Sequence, residues 1–183
     1  MNPLDIYRGK SVLITGNTGF CGSWLSVWLE KLGAKVSGYS LHPPTQPNMF
    51  ESLKLETKIP TVFGDVRDEN ILQLTVDYVK PEFVFHLAAQ PIVKDSYRKP
   101  KETFETNTMG TLNVLEAIRE TPSVKVAVMI TTDKVYEDKY PYVYSENNQL
   151  GGNDPYSASK ACAEHVIDAY RHSYLSTNVM VAS

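Results

Sequence analysis

Three glycines at a spacing of three, Gly16, Gly19 and Gly22, stand between an apolar run and an amphipathic segment. The run Ser11-Val12-Leu13-Ile14-Thr15 has the composition of a short strand buried on both faces. Behind the glycines, Trp24, Leu25, Trp28, Leu29 and Leu32 recur at helical spacing, which predicts a helix with this stripe, both tryptophans included, turned to the core. Gly33 ends it. Few folds accept a strand, a glycine turn and a helix in that order. Glycine allows the tight turn and the close approach of backbone to a pyrophosphate, and the free N–H groups of the helix start converge on the same place. The unit predicts the first step of a dinucleotide-binding sheet.

The rest of the chain continues the alternation. Ala34–Leu41, Thr61–Phe63, Phe83–Ala89 and Val124–Thr131 read as strands. Glu69–Val79, Glu102–Arg119 and Pro155–Tyr174 read as helices, and Asn178–Ala182 starts a sixth strand. No hairpin signal separates the strands, so the pattern predicts an α/β, doubly wound, Rossmann-like parallel sheet with right-handed crossovers. His42–Pro47 is proline-rich and irregular. Glu137–Asp154 is a long segment without periodicity just before Tyr156, and it reads as a substrate-covering loop.

Composition removes several functions. A net charge of −3 over 183 residues offers no field for nucleic acid or an anionic membrane surface. No run approaches the ~18 apolar residues of a membrane span, and Met1–Lys10 lacks the apolar centre of a signal peptide. The two cysteines, Cys21 and Cys162, have neither metal-ligand nor disulfide spacing, which fits a cytoplasmic protein and no metal.

The chemistry gathers at the ends of strands four and five. Tyr156 and Lys160 are four apart at a helix start and share a face, where an ammonium lowers the pKa of a phenol. Tyr97 and Lys101 have the same spacing, but Pro100 between them disfavours one continuous helix. Thr132 follows the fifth strand, where its hydroxyl can orient a substrate hydroxyl toward Tyr156. Asp133 and Lys134 add an acid and a base to that rim; alone, the pair also reads as a solvated turn. His86, inside an apolar strand, reads as a satisfied core or cofactor-proximal histidine. The second strand ends Gly38-Tyr39-Ser40-Leu41-His42, with no carboxylate for ribose hydroxyls and no arginine for a 2′-phosphate, so the preference for NAD over NADP is weak. Asp65 has two readings, an acceptor for an adenine amino group or a turn-forming residue after Gly64.

These segments together resemble the extended short-chain dehydrogenases/reductases, and within them the CDP-glucose 4,6-dehydratase group. The resemblance runs almost end to end, through Thr15–Phe20, Gly22–Leu25, Gly64–Asp68, His86–Pro91, Asn107–Thr111, Thr132–Lys134 and Tyr156–Lys160. Asp-Lys at Asp133-Lys134 resembles the CDP-glucose branch, whereas dTDP-glucose relatives carry Asp-Glu there. The resemblance implies that Gly16, Thr18, Gly19, Phe20, Gly22, Asp65, Val66, Leu87, Ala88, Ala89, Tyr156 and Lys160 bind NAD. It implies that Thr132, Asp133, Lys134, Tyr156 and Lys160 are catalytic. CDP-glucose would be oxidised at C4, lose water across C5 and C6, and regain hydride at C6, yielding CDP-4-keto-6-deoxyglucose for deoxysugar and surface-polysaccharide biosynthesis. A homodimer through helices 102–119 and 155–174 is implied as well. Such chains run to about twice this length, so residues 1–183 are expected to be an incomplete NAD-binding domain, without the C-terminal substrate domain and with poor turnover alone. Two alternatives stay open: a UDP-sugar 4-epimerase, and a non-catalytic dinucleotide-binding module.

Overall fold

The computed structural model describes residues 3–139, 143–175 and 177–183. Its strands are β1 (Ser11–Thr15), β2 (Lys35–Ser40), β3 (Thr61–Phe63), β4 (Phe83–His86), β5 (Val126–Met129) and β6 (Met180–Ala182). All neighbouring pairs are parallel and the order is β3-β2-β1-β4-β5-β6. The chain builds outward from β1 to β3, then returns to lay β4, β5 and β6 on the other side. The reversal between β1 and β4 opens a crevice at their carboxyl ends, the usual ligand position in such sheets. Thr15, the last residue of β1, lies opposite Tyr39 on one side and His86 on the other.

Alternation along β1 explains the two-sided core. Leu13 packs with Tyr39, Val84, Leu115 and Ile167 on one face, while Val12 and Ile14 pack with Leu29, Val36 and Phe85 on the other. The helices are α1 (Phe20–Lys31), α2 (Met49–Ser52), α3 (Glu69–Val79), α4 (Val93–Arg98), α5 (Pro100–Phe104), α6 (Gly110–Glu120) and α7 (Pro155–Tyr170). Among the described residues no helix is long and apolar enough to cross a membrane.

Four local expectations need correction. The α1 face that packs inward is Gly22, Ser23, Ser26 and Leu29, whereas Trp24 and Trp28 are 56% and 55% exposed. The helix is rotated by about a third of a turn from the apolar stripe because it lies too close to the glycine turn for large side chains. A Cβ on Gly22 would stand 2.1 Å from the Gly16 carbonyl oxygen. The fourth strand ends at His86, not Ala89: Leu87 N–H still bonds to Thr15 O, but Ala88 N–H turns to the Thr15 hydroxyl. The helix expected over Glu102–Arg119 begins at Pro100 and carries a π turn at Glu105–Met109. The helix expected to reach Tyr174 passes into a second π turn at Arg171–Leu175.

The segment Glu137–Asp154 has no regular element among its described residues, and its residues 140–142 lie outside them. Its return leg is fastened by Glu137 N–H to Gln149 O and Gly151 N–H to Val135 O. Gly152, at φ +105°, is pressed so closely on α7 that a Cβ would meet Ala158 N at 2.6 Å.

Candidate functional site

The glycine turn forms a cradle at the crevice. Gly16 has φ +76°, and a Cβ there would lie 2.8 Å from Ala88 N, so the turn and the Leu87–Ala89 loop touch backbone to backbone. Gly19 starts α1, and no side chain caps the helix. The first-turn N–H groups therefore have no intrahelical acceptor and face outward as anion donors. A Cβ on Gly19 would meet only the Gly16 carbonyl oxygen, at 3.3 Å, which leaves room for a ligand to approach. The cradle fits a dinucleotide pyrophosphate.

Other members of the expected cofactor set sit differently. The Thr18 hydroxyl donates to Leu41 O at 2.8 Å and pairs with Ser40 Oγ, so it ties β2 to the turn rather than facing the crevice. Phe20 is largely exposed at the head of α1. Val66 is buried against Gly110, and its carbonyl accepts from Asn113 Nδ2. Asp65 is hydrogen-bonded to its near neighbour Arg67. Arg67 N–H, Nε and NH2 all donate to its carboxylate, and the guanidinium holds that carboxyl below its ordinary pKa. At the end of β2, His42 stacks on Phe63 at 4.0 Å.

His86 is a satisfied core residue. Thr111 donates its hydroxyl proton to Asn107 O, so it accepts from His86 Nε2; Nδ1 then accepts from Thr15 at 2.7 Å. Complete burial, helped by Lys160, lowers the His86 pKa from 6.5 to about 3, so the ring stays neutral.

The expected acid–base residues do converge. Thr132 is extended and caps the 3-10 turn Asp133–Val135, accepting from Lys134 N–H at 3.3 Å. Asp133 and Lys134 line a cleft of about 250 Å³ with Tyr136, Tyr144, Asp154 and Ser157. Tyr156 enters from α7, whose start is set by Asp154: its Oδ1 accepts from Tyr156 N–H and Ser157 N–H, each at 3.0 Å. Burial raises the Tyr156 pKa, the Thr132 hydroxyl lowers it, and Asp133 and Asp154 raise it further. The expected phenolate-stabilising effect of Lys160 is not part of this balance. Lys160 is instead 3% exposed, and its ammonium donates to Ile130 O at 2.9 Å. Burial lowers its pKa from 10.5 to about 8, against the charge of Glu164. The decoy pair separates: Tyr97 lies on α4 and is 64% exposed, and Lys101 lies on α5 beyond Pro100.

Several residues that hold the site had no role assigned from sequence. Asn107, in the π turn, accepts from Gln90 N–H and donates to Gln90 O and to Ser159 Oγ, joining the loop after β4 to α7. Thr108 donates to Ser159 O. Asn107 and Thr108 stood in sequence only as part of the Asn107–Thr111 resemblance segment; Asp154 had a local signal, an aspartate directly before a proline at a helix start.

A family model described as GDP-mannose 4,6 dehydratase matches residues 13–182. CDP-glucose 4,6-dehydratase of Salmonella typhimurium is 47% identical over 171 residues, 93% of this chain and 48% of the relative. The dTDP-glucose 4,6-dehydratase of Streptomyces venezuelae, solved with NAD and TYD bound, superposes with a TM-score of 0.80 at 27% identity, over 93% of this chain and 53% of that one. UDP-glucose 4-epimerase of Thermus thermophilus, solved with NAD, gives 0.78 at 32% identity over 89% and 51%. The chain thus spans about half the length of the curated relatives it matches.

Proposed function

The chain belongs to the GDP-mannose 4,6-dehydratase family, and we propose that it carries the cofactor half and the acid–base residues of an NAD-dependent dehydratase of CDP-glucose. The observation that supports this reading best is the rim at the end of β5, where Thr132 and Asp133 meet Tyr156 from α7 and Lys134 lines the adjoining cleft with Asp133. A dehydrogenase or epimerase needs the tyrosine and threonine. An added acid and base beside them suit elimination.

The amides of the Gly16–Gly22 cradle and the Leu87–Ala89 loop would hold NAD, with Lys160 toward its nicotinamide ribose. The bound nicotinamide would supply a reversible two-electron acceptor. Thr132 orients the sugar 4-hydroxyl and Tyr156 Oη takes its proton. Lys134 Nζ serves as the base for the proton at C5, which the 4-keto group has made acidic. Asp133 serves as the acid that delivers a proton to the departing 6-oxygen, so that one water leaves. Residues 1–183 act as the NAD-binding domain, with the sugar nucleotide gripped by a substrate domain outside this chain. The working form is a cytoplasmic homodimer through the helical segments 100–120 and 155–175.

The test is incubation of the family-length protein with CDP-glucose and NAD, followed by NMR of the sugar. A 4-keto-6-deoxy product is expected. A C4 epimer that keeps its C6 oxygen would replace this reading with an epimerase. Unchanged sugar with dinucleotide bound would favour the non-catalytic module.

A further inference from the structure

Glu164 lies one helical turn beyond Lys160 on α7. The two side chains grip consecutive residues at the end of β5. Lys160 Nζ donates to Ile130 O at 2.9 Å, and the Thr131 hydroxyl donates to Glu164 Oε1 in a short bond. Glu164 Oε2 accepts from the Ser183 hydroxyl at 2.8 Å. Thr132 follows directly and carries the turn that presents Asp133 and Lys134. One donor and one acceptor on a single helix face thus hold the backbone from which the rim hangs.

We infer that Glu164 is a positioning residue for Lys160 and Thr132, holding the end of β5 on α7 through Thr131 with its carboxylate one helical turn from the Lys160 side chain. Burial opposes that ammonium and Glu164 favours it. Among the described residues, His86 of β4 also faces Lys160, and burial keeps it neutral. The geometry stands by itself; its meaning for catalysis rests on the proposed function.

The two roles separate by substitution in the 183-residue chain. Glu164→Gln keeps an acceptor for Thr131 and removes the charge. Glu164→Ala removes both, and Thr131→Val removes the donor while keeping the charge. Two readouts apply: the titration midpoint of ¹⁵N-labelled Lys160 Nζ, and amide exchange at Ile130, which bonds to His86 O, and at Lys134, which bonds to Thr132 Oγ1. In Glu164→Gln the midpoint is expected to fall by about half a pH unit or more with exchange unchanged. In Thr131→Val exchange is expected to rise about tenfold or more with the midpoint held. Glu164→Ala should show both changes. A midpoint that stays put in Glu164→Gln, or exchange that stays slow in Thr131→Val, overturns the inference. NAD binding by the unsubstituted chain is measured alongside: its failure counts against the proposed function and leaves the clamp standing.

Discussion

Replacing Lys160 with methionine should make the chain more stable at neutral pH, although the residue belongs to the proposed machinery. Lys160 is 3% exposed, and its pKa falls from 10.5 to about 8 on folding. At about 1.4 kcal/mol per pH unit, the folded state carries a cost of about 3 kcal/mol for holding that proton at pH 7. Methionine keeps most of the hydrocarbon length and removes the charge. It also leaves Ile130 O without its donor, a loss of about 1 kcal/mol. The net gain is about 2 kcal/mol, or about 1 M in the urea midpoint for a chain of this size. The sign of the pH dependence follows from linkage. The unfolded lysine binds its proton up to 10.5 and the folded one only up to about 8, so wild-type stability rises with pH between those values. The advantage of Lys160→Met should therefore shrink to below about 1 kcal/mol by pH 9.5. Urea titrations of both chains at pH 7 and 9.5, compared as differences, cancel the other titrating groups. A variant less stable than wild type at pH 7, or an advantage that does not change with pH, refutes the reasoning.

Gly22→Ala should abolish soluble folded protein or cost more than about 3 kcal/mol, because its Cβ would meet the Gly16 carbonyl oxygen at 2.1 Å; Gly19→Ala, at 3.3 Å, should fold and lose dinucleotide affinity instead, as calorimetry would report. His86, with its pKa lowered from 6.5 to about 3, excludes a proton that the unfolded chain binds, so about 2 kcal/mol should be lost between pH 7 and 5. His86→Asn, although less stable at pH 7, should flatten that slope in thermal melts. In the family-length protein, Tyr156→Phe should lower turnover at least about 100-fold while dinucleotide affinity changes less than threefold, as assays of turnover and binding would report.

Much of the fold was legible because its signals are local. Apolar runs, glycine breaks and helical spacing each need only a few neighbouring residues, and they located all six strands and the alternation that makes them parallel. The Gly16–Gly22 spacing marked the cradle, and the Tyr156–Lys160 spacing marked a shared helix face. Periodicity did less well on α1. It found the helix but chose the wrong face, because the two tryptophans outweighed Gly22, Ser23 and Ser26 in hydrophobicity while losing to them on size.

What the sequence by itself determined is the order of elements, the glycine turn after β1, and the residue types at the carboxyl ends of the strands. Tertiary structure decided which of those side chains have free atoms. Arg67 donates to the carboxylate of Asp65, Thr18 turns to Leu41, and Lys160 donates to Ile130 O. It also supplied partners far apart in the chain, Asn107 with Ser159 and Thr131 with Glu164. The reason is that propensity and periodicity act over a turn or a strand. A buried donor or acceptor must find a partner wherever the fold brings one within about 3 Å, and only the packed sheet and helices set that distance.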